Sequence, residues 1–130
     1  MERHCGNAMH VAAFRRSSRI AKVIYPGLAT HPQHLLAAKQ MSQRYDGMVT
    51  AVLKGGLPAS KRFLERCKLF TLTESLGGVE SLIEHPAIMT HASLPEDVLK
   101  GLGIDEGLVR RSVGFESIDD LLAELKETLS

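Results

Sequence analysis

Apolar residues recur along this chain at two periods, one helical and one alternating, and the switching between them predicts its elements. The clearest helix is the last, where Ile118, Leu121, Leu122, Leu125 and Leu129 form one stripe at helical spacing. Ser117 and Asp120 stand where a capping pair belongs, and Asp119 with Asp120 places negative charge at the helix's positive end. A Ser117 cap is expected to contribute about 1 kcal/mol. Weaker helical patterns cover residues 32–41 (Leu35, Leu36 and Met41, with Pro32 in the first turn) and 58–67 (Ala59, Phe63, Leu64 and Cys67). Ser93 with Glu96 predicts a capped short helix carrying Val98, Leu99 and Leu102 and ending at Gly101 or Gly103. A first helix is expected over residues 4–14. Between the helices lie β-rich runs at 22–25, 48–53, 70–73 and 108–113, the first two ended by Pro26-Gly27 and Gly55-Gly56. Helix and strand therefore alternate, which predicts one α+β or split βαβ layer: a small, mostly antiparallel sheet of about four strands with helices on one face.

Composition narrows the class. At 130 residues the chain has the size of a single domain, and 44% hydrophobic with 24% charged residues suits a soluble protein with one core. The net charge of +1 points to neither nucleic acid nor a membrane surface. No apolar run approaches the roughly 20 residues that cross a bilayer. The opening Met1-Glu2-Arg3-His4-Cys5-Gly6 lacks a signal peptide's basic-then-apolar pattern. Cys5 and Cys67 are too few and too far apart for a disulfide framework, so both read as reduced, structural thiols in a cytoplasmic protein.

Few residues stand out as chemistry by spacing alone. His31 and His34 have ligand-like spacing, but no Cys, Asp or Glu nearby completes a metal set. Gly101, Gly103 and Gly107 miss the dinucleotide spacing. The basic run 15–19 lacks interleaved aromatics and reads as a solvated loop rather than a nucleic-acid contact. Along 108–113, Val109, Arg111 and Val113 share one face of a strand, and Leu108, Arg110 and Ser112 the other. Only one of the two arginines therefore faces a given site. Arginine suits a carboxylate because its planar fork donates two parallel hydrogen bonds, although an isolated arginine on a strand is more often a surface charge.

The wording of two segments changes that weighting. Leu69-Phe70-Thr71-Leu72-Thr73-Glu74-Ser75-Leu76-Gly77-Gly78-Val79-Glu80-Ser81-Leu82-Ile83-Glu84, continued by His85-Pro86-Ala87-Ile88-Met89-Thr90-His91-Ala92-Ser93, is followed later by Leu108-Val109-Arg110-Arg111-Ser112-Val113-Gly114. Together with Tyr25-Pro26-Gly27-Leu28, these closely resemble the C-terminal domain of the pyridoxal-phosphate enzymes of cysteine and methionine metabolism, the transsulfuration family, and within it the cystathionine gamma-lyase branch. The resemblance runs over the whole chain and begins inside a helix of the family's usual sequence. It implies the small C-terminal domain of a fold-type I enzyme, residues 1–130, with the N-terminal cofactor-binding domain absent.

The resemblance also assigns roles. Arg110 would anchor the α-carboxylate of a sulfur amino-acid substrate, and Ser75 would lie beside the same carboxylate. Glu74 holds a position that varies with activity in the family, where an acid is typical of enzymes handling cystathionine at its γ-carbon; its plain alternative is a solvated loop carboxylate. Gly77-Gly78 would let the backbone turn tightly against a ligand, while Gly55-Gly56 only closes a loop. His91 reads as a packing residue or as one that supports a site residue from behind. No catalytic, cofactor-binding or metal-binding residue is expected here. Family catalysis uses a Schiff-base lysine in a Ser-x-Thr-Lys context, and none of Lys22, Lys39, Lys54, Lys61, Lys68, Lys100 and Lys126 has those neighbours. The expectation is pyridoxal phosphate in a full-length, homotetrameric enzyme and an inactive isolated chain. The alternatives are a non-catalytic interaction module, a split-enzyme subunit docking onto a separate N-terminal half, and a gamma-synthase-like domain.

Two departures from the family wording matter. Arg111 stands where leucine is usual, and on a buried face it must find a carboxylate or reach solvent past the sheet edge, since an unpaired guanidinium there costs several kcal/mol. The segment 15–19 replaces one that is usually short and apolar.

Overall fold

Burial at every second residue of β2 (Met48–Leu53) sets the two faces of the sheet: Val49, Ala51 and Leu53 are buried, while Met48, Thr50 and Val52 are half-buried on the opposite side. The computed structural model describes residues 1–14, 17–42, 44–75 and 77–130. In chain order the other elements are α1 (Glu2–Ala13), β1 (Ile20–Ile24), α2 (His34–Gln40), α3 (Gly56–Arg66), β3 (Thr71–Leu72), β4 (Leu82–Glu84), a 3-10 turn at Pro86–Ile88, α4 (Glu96–Gly101), β5 (Leu108–Ser112) and α5 (Ile118–Thr128). The sheet runs β1-β2-β5-β4-β3 and is antiparallel except where β3 pairs with β4. The expected α+β architecture holds, with a fifth strand. Leu82–Glu84 is too short to show a period of its own.

Helices α1, α3 and α5 cover one face. Ala8, Val11 and Ala12, then Phe63 and Leu64, then Leu121 and Leu125 meet Val49, Ala51, Ile83, Val109 and Val113 in a single core. Each fully buried Val, Leu or Ile side chain there is worth roughly 1.5–3 kcal/mol. Of the stripe expected in the last helix, Leu121, Leu125 and Leu129 are buried, and Ile118 and Leu122 are half-buried against the core.

Helix starts depart from expectation. Ser117 occupies the N-cap position of α5 and its carbonyl accepts from Leu121 N, yet its side chain makes no capping bond. The contribution assigned to that cap is therefore absent. Ser93 does not cap α4 either: Pro95 stands at the N-cap and the helix begins after it, too late in the chain for Ser93 to reach. Pro32 precedes α2 instead of entering its first turn, because His31 organises the turn before it, accepting from Gln33 N at its Nδ1 and from His34 N at its carbonyl.

A polar knot joins the two ends of the chain. Asn7 on α1 donates from Nδ2 to the carbonyls of Gly114 and Glu116, at 3.0 Å each. The Glu116 carboxylate accepts from Ser81 N (2.6 Å) and Ser81 Oγ (2.8 Å), and Ser81 Oγ accepts from Gly114 N (2.9 Å). Gly114 fits because a Cβ there would lie 2.6 Å from the Val79 carbonyl oxygen. Of the basic segment, Arg15 and Arg16 lie outside the described residues; Arg19 is exposed, and Ser17 Oγ donates to the Leu129 carbonyl.

Arg111 meets neither condition set by the sequence. Strand β5 lies between β2 and β4, so its side chain has no sheet edge to pass, and Arg111 is 2% exposed on the core face. It forms no ion pair among the described residues, and its Nε has no hydrogen-bond partner among them. Burial lowers its pKa to about 10, with the neighbouring Cys67 thiol opposing. It remains a cation at neutral pH. Burial likewise pushes the Cys67 thiol up to about 12, Glu124 adding to the effect and Arg111 opposing it. Cys67 is thus a protonated packing thiol in neutral solution rather than a nucleophile.

Candidate functional site

Alternation along β5 sends Arg110 to the face away from the core, where the register flanks it with Thr50 of β2 and Glu84 of β4. Side chains directly opposite on neighbouring strands of one face lie close enough to interact. Arg110 Nη2 lies 2.9 Å from Glu84 Oε1 and donates to the Ser75 carbonyl at 3.0 Å. The two ends of the signature, remote in sequence, thus meet at one guanidinium.

The turn that delivers Ser75 is built locally. Ser75 Oγ accepts from Gly77 N at 3.3 Å, and Gly77 adopts φ +132°, a conformation that L side chains rarely take. A Cβ at Gly77 would also stand 3.0 Å from Ser112 Oγ. Upstream, Glu124 of α5 holds the segment's start: its carboxylate accepts from Lys68 N (2.5 Å), Leu69 N (2.6 Å) and Phe70 N (3.1 Å). Thr71 N and Thr73 N then donate to the carbonyls of Ser81 and Ile83, laying β3 beside β4.

Ser75 and Arg110 are therefore brought together, through the serine's carbonyl instead of its hydroxyl. Glu74 is exposed on the same turn. His91 is half-buried, its Nδ1 2.9 Å from Thr90 Oγ1.

Sequence reasoning overlooked Glu84. Its side chain is 2% exposed, beneath an Arg110 that is 24% exposed. The contact is close but poorly directed: neither Glu84 oxygen has an aligned hydrogen bond among the described residues, so charge rather than hydrogen-bond geometry holds the pair. Its signal was the acid closing Leu82-Ile83-Glu84, which faces Arg110 once those residues are paired as a strand.

The cleft lined by Thr73, Ser75, Leu82, Glu84, Arg110 and Ser112 is tight, without room for a water-sized occupant. Larger hollows lie elsewhere. One between α3 and the end of α5 includes Arg19, Lys54, Arg62 and Arg66, and another includes Val52, Leu57, His85, Leu99 and Ile104. Among the described residues no group of three His, Cys, Asp or Glu side chains is placed to hold a metal ion. Lys22, Lys39, Lys54, Lys61, Lys68, Lys100 and Lys126 are all exposed. No helix of the described residues is long and apolar enough to cross a membrane.

Comparison with known proteins bears on the family and the fold. The chain is 55% identical to the cystathionine beta-lyase of Coxiella burnetii over 130 residues, 99% of this chain and 33% of that protein. It is 50% identical to the cystathionine gamma-lyase of Dictyostelium discoideum, with the same coverage. The crystal structure of cystathionine gamma-synthase from Xanthomonas oryzae pv. oryzae, in complex with aminoacrylate and cysteine, superposes with a TM-score of 0.92 at 44% identity, covering 99% of this chain and 33% of that one. The chain thus spans about a third of the length of these relatives. The family model for Cys/Met metabolism PLP-dependent enzymes matches residues 1–130. Matched along its whole length by sequence and by fold, this chain belongs to the Cys/Met metabolism PLP-dependent enzyme family.

Proposed function

We propose that this chain is the substrate-carboxylate domain of a pyridoxal-phosphate-dependent transsulfuration enzyme. Arg110 holds the α-carboxylate of a sulfur amino acid such as cystathionine, Ser75 shapes the turn beside it, and Glu74 faces the distal ammonium of a long substrate. The observation that carries the reading is the meeting of Arg110 with the Ser75 turn. The cofactor supplies an electron sink for cleavage or formation of a carbon–sulfur bond. Its lysine belongs to the larger N-terminal portion that relatives possess, so the 130-residue chain alone binds no cofactor covalently and turns nothing over.

Two measurements on the purified chain test this. Titrated with L-cystathionine, the Arg110 Nε–H resonance should shift saturably, and Arg110→Lys, which keeps the charge but loses the planar fork, should weaken binding roughly tenfold. Mixed with pyridoxal phosphate, the chain should give no stoichiometric imine band and no cystathionine cleavage. A single-lysine imine, or turnover without another chain, would overturn the assignment.

A second reading, a subunit of a split enzyme, is favoured by the exposure of Leu35 (85%), Leu36, Leu72, Val79 and Phe115. Exposed apolar side chains in that number suit docking against a larger domain and homo-oligomer formation. A pull-down with the chain as bait should then recover a lysine-bearing N-terminal half. A monodisperse monomer in light scattering that captures nothing would argue against it.

A further inference from the structure

We propose that Glu84 is an internal stand-in for the ligand's carboxylate: it occupies Arg110 in the empty site and must give way when a substrate carboxylate binds, thereby setting the affinity of the anchor. The inference rests on the reading of Arg110 as that anchor and extends it to a residue with no assigned role.

Three observations support it. Glu84 lies directly opposite Arg110 in the β4–β5 register, with Oε1 2.9 Å from Nη2. Its side chain is 2% exposed, so its charge is little screened by solvent, and Arg110 is the cation the described residues bring to it. Neither carboxylate oxygen has an aligned hydrogen bond among the described residues. A structural carboxylate would be expected to collect directed donors, as Glu124 and Glu116 do here. Glu84 instead contributes charge at close range with little geometric commitment. Such a contact is strong enough to hold the guanidinium over the cleft and loose enough to be exchanged for a better-directed partner.

The other contact on Nη2 is the Ser75 carbonyl, at 3.0 Å. Both two-point forks of a guanidinium, Nη1 with Nη2 and Nε with Nη2, use that nitrogen, so a carboxylate arriving at the tight cleft competes with contacts already made. Its negative charge also comes to rest near that of Glu84, and like charges close together in a poorly solvated site oppose one another. The result is an anchor that recognises carboxylates but releases them readily, a property suited to exchange of substrate for a product bearing the same α-carboxylate.

The sign of the effect separates this role from simple support of Arg110. If Glu84 merely positions the arginine, removing its charge weakens carboxylate binding. If it competes, Glu84→Gln, which keeps the shape and an acceptor oxygen, tightens binding. The experiment follows the Arg110 Nε–H resonance of the 130-residue chain during titration with acetate and with L-cystathionine, against sodium chloride at matched ionic strength. Glu84→Gln should bind both about tenfold more tightly than the unaltered chain. Glu84→Ala should also bind more tightly, which keeps the test available if the glutamine variant does not fold, as judged by its amide spectrum. Equal or weaker acetate binding in the folded variants would overturn the proposal.

The two levels of inference fail separately. A chain in which cystathionine moves the Arg110 resonance while Glu84→Gln brings no gain retains the anchor and loses the competitor. A chain in which neither ligand moves that resonance, with or without Glu84, loses both.

Discussion

Replacing Arg111 by leucine should make this protein more stable, by about 1–4 kcal/mol. For a domain of this size that corresponds to a rise in the thermal midpoint of roughly 4 °C per kcal/mol. The expectation is unusual, because most core substitutions destabilise. Here the native residue is a guanidinium at 2% exposure, paired in register with Val49 and Ile83, with no ion pair among the described residues and no partner for Nε. Burying such a charge without compensation costs several kcal/mol, and the lowered pKa of about 10 is the same penalty seen through proton binding. The native state holds its proton less tightly than the unfolded chain, so the penalty is fully present below about pH 10 and eases only as pH rises beyond that. It therefore applies in full at neutral pH. Differential scanning calorimetry of the two proteins at neutral pH is sufficient. A lower midpoint for Arg111→Leu would show that the guanidinium's terminal nitrogens are better satisfied than its Nε.

Glu124→Ala should act in the opposite direction and more locally. Glu124 is 8% exposed, and it accepts from three consecutive backbone N–H groups at residues 68–70. Each bond from a backbone donor to a charged acceptor is worth about 1.5–3 kcal/mol, and the donors left behind are only partly recovered by water. A loss of about 3–5 kcal/mol in urea unfolding is expected. Glu124→Gln, retaining one good acceptor oxygen, should lose about half of that. Because residues 68–70 lead directly into β3 and the Ser75 turn, amide exchange there should accelerate more than in the β2–β5 pair. Uniform acceleration would mean that Glu124 supports the whole core rather than this segment.

How far the sequence carried these conclusions differs between fold and site. Period and punctuation located the long helices and β2 because each buries a stripe of several side chains. The Leu121–Leu125 stripe and the alternation of Val49, Ala51 and Leu53 needed no tertiary context. Strand β4 was illegible because three residues cannot display a period, and its burial comes from neighbours far along the chain. Helix starts failed for a related reason: Ser117 and Ser93 carry the right side chains, but whether a hydroxyl turns toward the helix is decided by the incoming backbone, and Pro95 sets that path for α4.

At the site, Arg110 and Ser75 were legible through wording and through the face rule for β5. Glu84 and Glu124 were not. A glutamate among leucines in a helix reads as solvent-facing until the 68–70 backbone is known to run across it. A glutamate at the end of an apolar pair reads as a strand terminus until that pair is seen beside β5. Both are acids whose partners lie on other elements, which local pattern cannot reveal. Arg111 shows the converse: the sequence stated the problem correctly and offered two solutions, and the fold takes neither.

The knot of Asn7, Ser81, Gly114 and Glu116 has a consequence for the order in which this chain acquires its shape. Asn7 bonds to carbonyls more than a hundred residues away, and Ser81 waits on Glu116. During synthesis, helix α1 emerges long before either partner exists and cannot dock in its final place. Contacts of such long sequence separation slow folding, because the loop must close before it is rewarded. The signature turn, held at one end by Glu124 and at the other by Arg110, also waits until residues 110 and 124 have been made. A ribosome-stalled chain ending before residue 116 should therefore show a protease-sensitive α1.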